Sequence, residues 1–183
     1  MLTHSEQTMT EPSFYRPAFT QTVWFNAIWF QSVWFCAVLG RDNLLPVTAA
    51  LLVVHLLLCR SLDKELLQLS TIAFVGIAAD ATLSATGVYQ FDGNVLVPLW
   101  LCALWIGFAT TLNRSLSFFG RHPAMTIAVG AVGLPLNYWA GERLGAVNFG
   151  YDLVPTLLIL AAVWSIIFPL MFKITAALDA QEQ

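Results

Sequence analysis

Long apolar runs broken by short polar segments fill the chain from Thr22 to Ala176, and the pattern predicts six helices, over residues 22–40, 44–59, 66–89, 95–113, 125–140 and 153–176. A polar tail of residues 1–21 precedes them, a short tail of 178–183 follows, and 22–177 reads as one domain. Most of these runs approach the roughly 20 residues a helix needs to cross a hydrocarbon core. A membrane β-barrel would need alternating segments of about ten residues, and that alternation is absent. In lipid every backbone N–H and C=O must be paired within its own element or a closed barrel, so helices remain. The expectation is an all-α, polytopic membrane bundle of six transmembrane helices.

The first predicted helix contains a five-residue phrase stated three times, WFNAI, WFQSV and WFCAV, from Trp24 to Val38. A helix turns about 100° per residue, so a five-residue step rotates a side chain by about 140°. Trp24, Trp29 and Trp34 therefore spread around the helix, and Asn26 and Gln31 cannot share one narrow face. No charged residue stands between Thr22 and Gly40. A helix that is apolar all round is a buried or a membrane helix. The repeat thus reads as a membrane helix ringed with aromatics, in preference to a ligand box.

Proline and glycine punctuate the later segments. Pro46 and Pro155 stand near helix starts, where proline is tolerated. Pro135 interrupts the fifth segment among Gly130, Gly133 and Gly141. A proline there frees a carbonyl near Gly133 or Ala131, and small residues let membrane helices approach closely. Broken helices of this kind line midplane sites in many transporters.

Composition strengthens the lipid reading. Of 183 residues 58% are hydrophobic and only 10% charged, with a mean hydropathy of +0.71, whereas a soluble domain is roughly a quarter charged. A net charge of −3 with no basic run gives nucleic acid no electrostatic footprint. With a cytoplasmic N-terminus the inner segments hold Arg16, Arg60, Lys64, Arg114, Arg121 and Lys173, and the outer loops only Arg41 and Arg143. That asymmetry favours both termini cytoplasmic. Tyr89, Trp100, Tyr138 and Trp139 then fall toward the outer headgroups as interface anchors. The N-terminal stretch makes a poor signal peptide, so the first apolar segment is expected to stay.

Asp80 is the sharpest chemical feature. A carboxylate inside a transmembrane segment costs roughly 2.5–3.5 kcal/mol on insertion scales, so it should face the bundle interior and find a partner or stay protonated, as a proton, cation or ligand site or as an interhelical hydrogen-bond clamp. Ser84 lies one turn further on the same face, Gly76 one turn before leaves room for another helix, and the expected partners are Asn137 and Arg143. A second polar cluster is expected nearer the cytoplasmic side, from Asn26, Gln31, His55, Asn113 and Arg114. His4, His55 and His122 show no ligand spacing, so neither haem nor zinc is expected. Cys36, Cys59 and Cys102 form no C-x-x-C pair and read as small buried hydrophobes. Neither a nucleophile elbow nor a phosphate loop is present, so no catalytic residue and no cofactor is expected.

Asn26, Phe30, Gln31, Trp34, Phe35, Cys36, Val38 and Gly40, with PLW…LW…FATTLNRSL from Pro98 to Leu116 and GAVGLPLNYWAGERLGA from Gly130 to Ala146, carry a resemblance. The chain resembles a bacterial inner-membrane family, domain of unknown function 2878, over roughly Asn26 to Phe172. The resemblance implies a multi-pass helical bundle in the inner (plasma) membrane of a Gram-negative bacterium, and no activity. Two functional readings follow. One is a small membrane binding or transport-type subunit with a polar site around Asp80. The other is an accessory or scaffold protein acting through helix–helix or lipid contacts without catalysis. Its partners would be the lipid bilayer and another membrane protein or a lipid. An enzyme is disfavoured, because Asp80 and His55 lie toward opposite leaflets.

Overall fold

The computed structural model describes residues 22–59 and 61–180. The predicted N-terminal tail with His4 and Arg16, Arg60, and residues 181–183 of the predicted C-terminal tail lie outside the described residues. Among the described residues seven α-helices run α1 Val23–Gly40, α2 Leu45–Leu58, α3 Leu62–Ala85, α4 Leu99–Leu112, α5 Ser117–Gly120, α6 Pro123–Arg143 and α7 Leu153–Ala180. The six long ones alternate in direction, and α5 is a single turn between α4 and α6.

Local chemistry sets the helix ends. Thr22 caps α1, its Oγ1 accepting from the Phe25 N–H at 3.2 Å. A 3-10 turn over Arg41–Leu44 bends the chain into α2, which carries a proline in its first turn. The third helix starts and stops four residues earlier than the expected 66–89. Ser61 stands at its N-cap with Asp63 and Glu65 in its first turn, where carboxylates suit the positive end of the helix dipole. It ends at Gly87, with φ +77°: the Gly87 N–H donates to Ser84 O and the Val88 N–H to Leu83 O. That is a Schellman ending, which only a residue at ease with positive φ can supply.

The same ending closes α6. Gly145 has φ +70°, its N–H donates to Glu142 O, and the Ala146 N–H donates to Gly141 O. Each glycine is followed by a two-residue strand, β1 Tyr89–Gln90 and β2 Asn148–Phe149, paired antiparallel with Tyr89 opposite Phe149. Helix, glycine, strand and helix therefore occur twice, as α3–β1–α4 and as α6–β2–α7. The strand pair marks one end of the bundle, called here the hairpin end.

Small residues set the closest helix approaches. A Cβ on Gly130 of α6 would lie 2.4 Å from the Trp164 carbonyl oxygen of α7, and a Cβ on Gly76 of α3 would lie 2.3 Å from the Trp105 ring of α4. The core centres on Trp164, Phe168, Leu160 and Met171, with Ile72, Tyr89, Trp105 and Leu112 around them. Much of the remaining apolar surface faces outward: in the α1–α2 stretch Val23–Leu58 only 17% of the most apolar window is buried. Trp24, Ile28, Phe74, Leu158 and Ile166 are between 66% and 79% exposed on the bundle exterior. Contiguous apolar exteriors of this extent are foreign to soluble monomers.

Candidate functional site

Two polar centres emerge. The first, near the hairpin end, is built around Asp80, which has no exposed surface. Its Oδ1 accepts from the Tyr89 hydroxyl at 2.6 Å and from the Tyr138 hydroxyl. Its Oδ2 accepts from the Trp105 indole N–H at 2.7 Å. All three donors are neutral aromatics drawn from β1, α4 and α6. Burial and the adjacent Asp80 carboxylate raise the Tyr89 phenol well above its usual range, so it stays protonated and donates. The rings also stack on one another: Tyr89 on Tyr138 at 5.4 Å, Tyr138 on Trp164 at 5.9 Å and Trp164 on Trp105 at 5.2 Å between centroids.

Sequence position explains the meeting. Asp80 lies seven residues before Gly87 and Tyr138 seven before Gly145, equivalent places in the two helix–strand–helix units. Gly76 leaves the space in which the Trp105 indole lies flat against α3 and reaches the carboxylate one turn on. The expected partners are corrected. Asn137 is exposed and spends its amide locally, donating to Gly133 O at 2.8 Å beside the Pro135 break. Arg143 is exposed and lies over the Trp139 ring at 5.8 Å. Ser84 is half-buried and is not one of the donors to Asp80. Tyr89 and Trp100, expected as interface anchors, are buried at 0% and 5% exposure because the carboxylate and the core claim them.

The second centre lies at the opposite end, where α1 begins, α2 passes to α3 and α4 ends. Glu65 is its hub. Arg114 Nη1 and Nη2 donate to Glu65 Oε1 and Oε2 at 3.1 and 3.0 Å, a two-pronged pair, and His55 Nε2 lies 2.8 Å from Oε1. Arg114 Nη1 is also 3.0 Å from His55 Nε2, and Nη2 is 3.9 Å from Cys59 Sγ. Burial, with the Glu65 carboxylate second, raises the Cys59 thiol. Beside this hub Asn113 donates to Gln68 Oε1 at 2.7 Å and to Asp179 Oδ2 at 3.4 Å.

Asn26, 2% exposed, closes one wall. Its amide donates to Thr110, and its Oδ1 accepts from the Ser115 hydroxyl at 2.6 Å. These side chains surround a cavity of ≈ 280 Å³ also lined by Trp29, Ser61, Lys64 and Leu178. Asn26, His55, Asn113 and Arg114 thus meet as expected from the sequence, but Gln31 does not: it is exposed on the far side of α1, as a five-residue offset dictates. Glu65, Gln68, Cys59 and Asp179 were not anticipated. The expected third helix begins at 66, one residue past Glu65. Its signal was Ser61 followed by Asp63 and Glu65, a capped acidic first turn.

The geometry defines a class. Apolar stretches over Val23–Leu58, Leu62–Ala85 and Leu153–Ala180 are long and apolar enough to cross a membrane, and α4 is a shorter apolar helix. The chain is an all-α bundle of a kind that suits a membrane. The family model described as protein of unknown function (DUF2878) matches residues 23–170, and the chain belongs to that family. No curated protein and no solved structure is similar to it.

Proposed function

We propose that the chain is a small multi-pass protein of the bacterial inner membrane, a binding or transport-type subunit, with six crossings and both termini cytoplasmic. The sequence reading centred the ligand on Asp80; the geometry favours the opposite centre. Asp80 has both oxygens occupied by the chain's own donors. The ≈ 280 Å³ cavity around Glu65 and Arg114 has polar walls and room for a ligand, and it carries the reading. Lys64 and Arg114 line it with Glu65 and Asp179, two charges of each sign, which suits a small zwitterion or a zwitterionic lipid headgroup. The Lys/Arg asymmetry turns this cavity toward the cytoplasm.

Thermal melts of the detergent-purified protein against a panel of zwitterionic metabolites and short-chain lipids test the reading. At least one compound raises the Tm, and Asn113→Ala together with Gln68→Ala reduces that rise. Absence of any shift across the panel removes the reading. Cysteine-accessibility labelling of the chain ends in intact cells tests the orientation, and periplasmic labelling would invert it.

A second reading, an accessory protein acting through helix contacts, draws on α1. Trp24, Ile28, Phe35 and Leu39 are 79%, 68%, 49% and 54% exposed on one outer face, and the exposed Gln31 lies among them. An amide facing lipid is costly and pairs readily with a neighbouring helix. A photocrosslinker at position 31 then recovers one dominant partner. Labelling of lipid alone counts against it.

A further inference from the structure

His55, Cys59 and Glu65 converge in a way the cavity reading does not use. One nitrogen, one sulfur and one carboxylate oxygen, from the last turn of α2, the α2–α3 turn and the first turn of α3, lie within 4.8 Å of one another. All three flank the same cavity. His55 and Cys59 are four residues apart, so one helical turn stacks them, and Glu65 is brought up by the tight reversal into α3. We propose that His55 Nε2, Cys59 Sγ and Glu65 Oε1 form a site for a borderline-soft divalent metal ion of the zinc type, open on its cavity side. The inference rests on reading this cavity as a binding site and names the ion as one of its ligands.

Ligand chemistry selects the ion. Magnesium and calcium take all-oxygen sets; a thiolate with an imidazole favours zinc or a neighbouring late transition metal. Three protein ligands leave the fourth tetrahedral position to water or a ligand in the cavity. A tetrahedral ion with bonds of about 2.0–2.3 Å holds its ligand atoms about 3.3–3.6 Å apart. The widest gap of the cluster, within 4.8 Å, therefore closes by about 1 Å, within reach of a rotation of the Cys59 side chain at the end of α2. On binding, the Cys59 S–H bond breaks as the sulfur–metal bond forms, and the proton passes to water.

Arg114 holds the place that the cation would take. Its Nη1 sits 3.0 Å from His55 Nε2 and 3.1 Å from Glu65 Oε1, two of the three atoms the ion needs. Its Nη2 holds Glu65 Oε2 at 3.0 Å, an oxygen the ion leaves unused. An incoming metal displaces only the Nη1 arm, and Arg114 remains as an outer partner that orients the ligating carboxylate. Guanidinium and metal thus compete for Glu65 Oε1, and for the His55 Nε2 lone pair in the tautomer protonated at Nδ1.

Tag-free, chelator-stripped full-length protein titrated with Co²⁺ tests the site. The expected result is a thiolate-to-cobalt charge-transfer band at one equivalent, reversed by Zn²⁺. Cys59→Ser removes the band, His55→Ala weakens binding at least ~10-fold, and Arg114→Gln strengthens it. Persistence of the band in Cys59→Ser assigns it to Cys36 or Cys102 and overturns the proposal. So does its absence in both the wild type and Arg114→Gln. Cys59→Ser is close to isosteric, and its melting curve reports whether it folds. A failure here is distinct from failure of the cavity reading, because zwitterion-dependent melts of metal-free protein are read independently of cobalt.

Discussion

The two polar centres of this bundle solve the same problem in opposite ways. Each places a carboxylate among apolar helices. Asp80 is sealed at 0% exposure and met by three neutral donors on rigid aromatic rings. Glu65 keeps 16% of its side chain exposed, is met by a cation and an imidazole, and borders a ≈ 280 Å³ space. A closed centre whose two oxygens are both held by the chain's own donors joins elements: here α3, β1, α4 and α6. An open centre with charges of both signs can exchange partners. Each carboxylate has three side-chain contacts, so full burial marks the clamp, and charged partners beside an open cavity mark the candidate site.

The contrast can be broken most severely at Asp80. Asp80→Ala leaves the buried donors of Tyr89, Trp105 and Tyr138 without their acceptor, at roughly 1–3 kcal/mol for each donor stranded. The expected outcome is the largest fall in Tm of any single substitution in the bundle, read by circular dichroism in detergent, with Asp80→Asn milder because its amide oxygen still accepts. A near-normal melt for Asp80→Ala would remove its role as a clamp.

Gly76→Ala is expected to rank second. Its methyl would stand 2.3 Å from the Trp105 ring, and overpacking of this kind costs about 1–3 kcal/mol. Displacing the indole also breaks its bond to Asp80, so tryptophan emission shifts along with the Tm. Unchanged emission would show that the indole is not held by this contact.

The open centre should respond far less. Arg114→Gln removes a partly exposed ion pair (24% and 16% exposed) while His55 still meets Glu65, and the expected loss is about 1 kcal/mol or less. A loss comparable to Asp80→Ala would erase the distinction between the two centres. The smallest effect is chemical. Burial and the Glu65 carboxylate raise the Cys59 thiol, so less thiolate is present at a given pH. Glu65→Gln removes the negative charge and leaves Arg114, which lowers the thiol, unneutralised. Maleimide labelling of Cys59 at neutral pH is therefore faster in Glu65→Gln than in the wild type, and the two rates converge as the pH rises above the raised value.

The sequence carried some of these features and hid others for identifiable reasons. The apolar runs located all six long helices, because a helix apolar all round is recognisable without knowing its neighbours. The end of α3 was misplaced by four residues because Ser84–Gly87 reads as a continuation of the apolar run; the positive φ of Gly87 is what stops it. Asp80 stood out because a carboxylate there is costly anywhere. Its partners did not, since Asn137 and Arg143 are the more polar residues of α6 and Tyr138 passes for a belt aromatic. Depth alone suggests grouping Asn26, His55, Asn113 and Arg114, which line one cavity, yet depth also admits Gln31, which the rotation of α1 turns outward.

By itself, then, the order of residues determined that this chain forms six long apolar helices and that Asp80 must be accommodated within one of them. Those outcomes depend on interactions within a few residues: backbone pairing, caps and glycine dihedrals. Only the tertiary structure decided that Tyr89, Trp105 and Tyr138 close over Asp80 while Glu65 gathers His55, Cys59 and Arg114 beside an open space. Which face each helix turns inward is set by packing against residues far away in the chain, such as the Trp105 indole against Gly76.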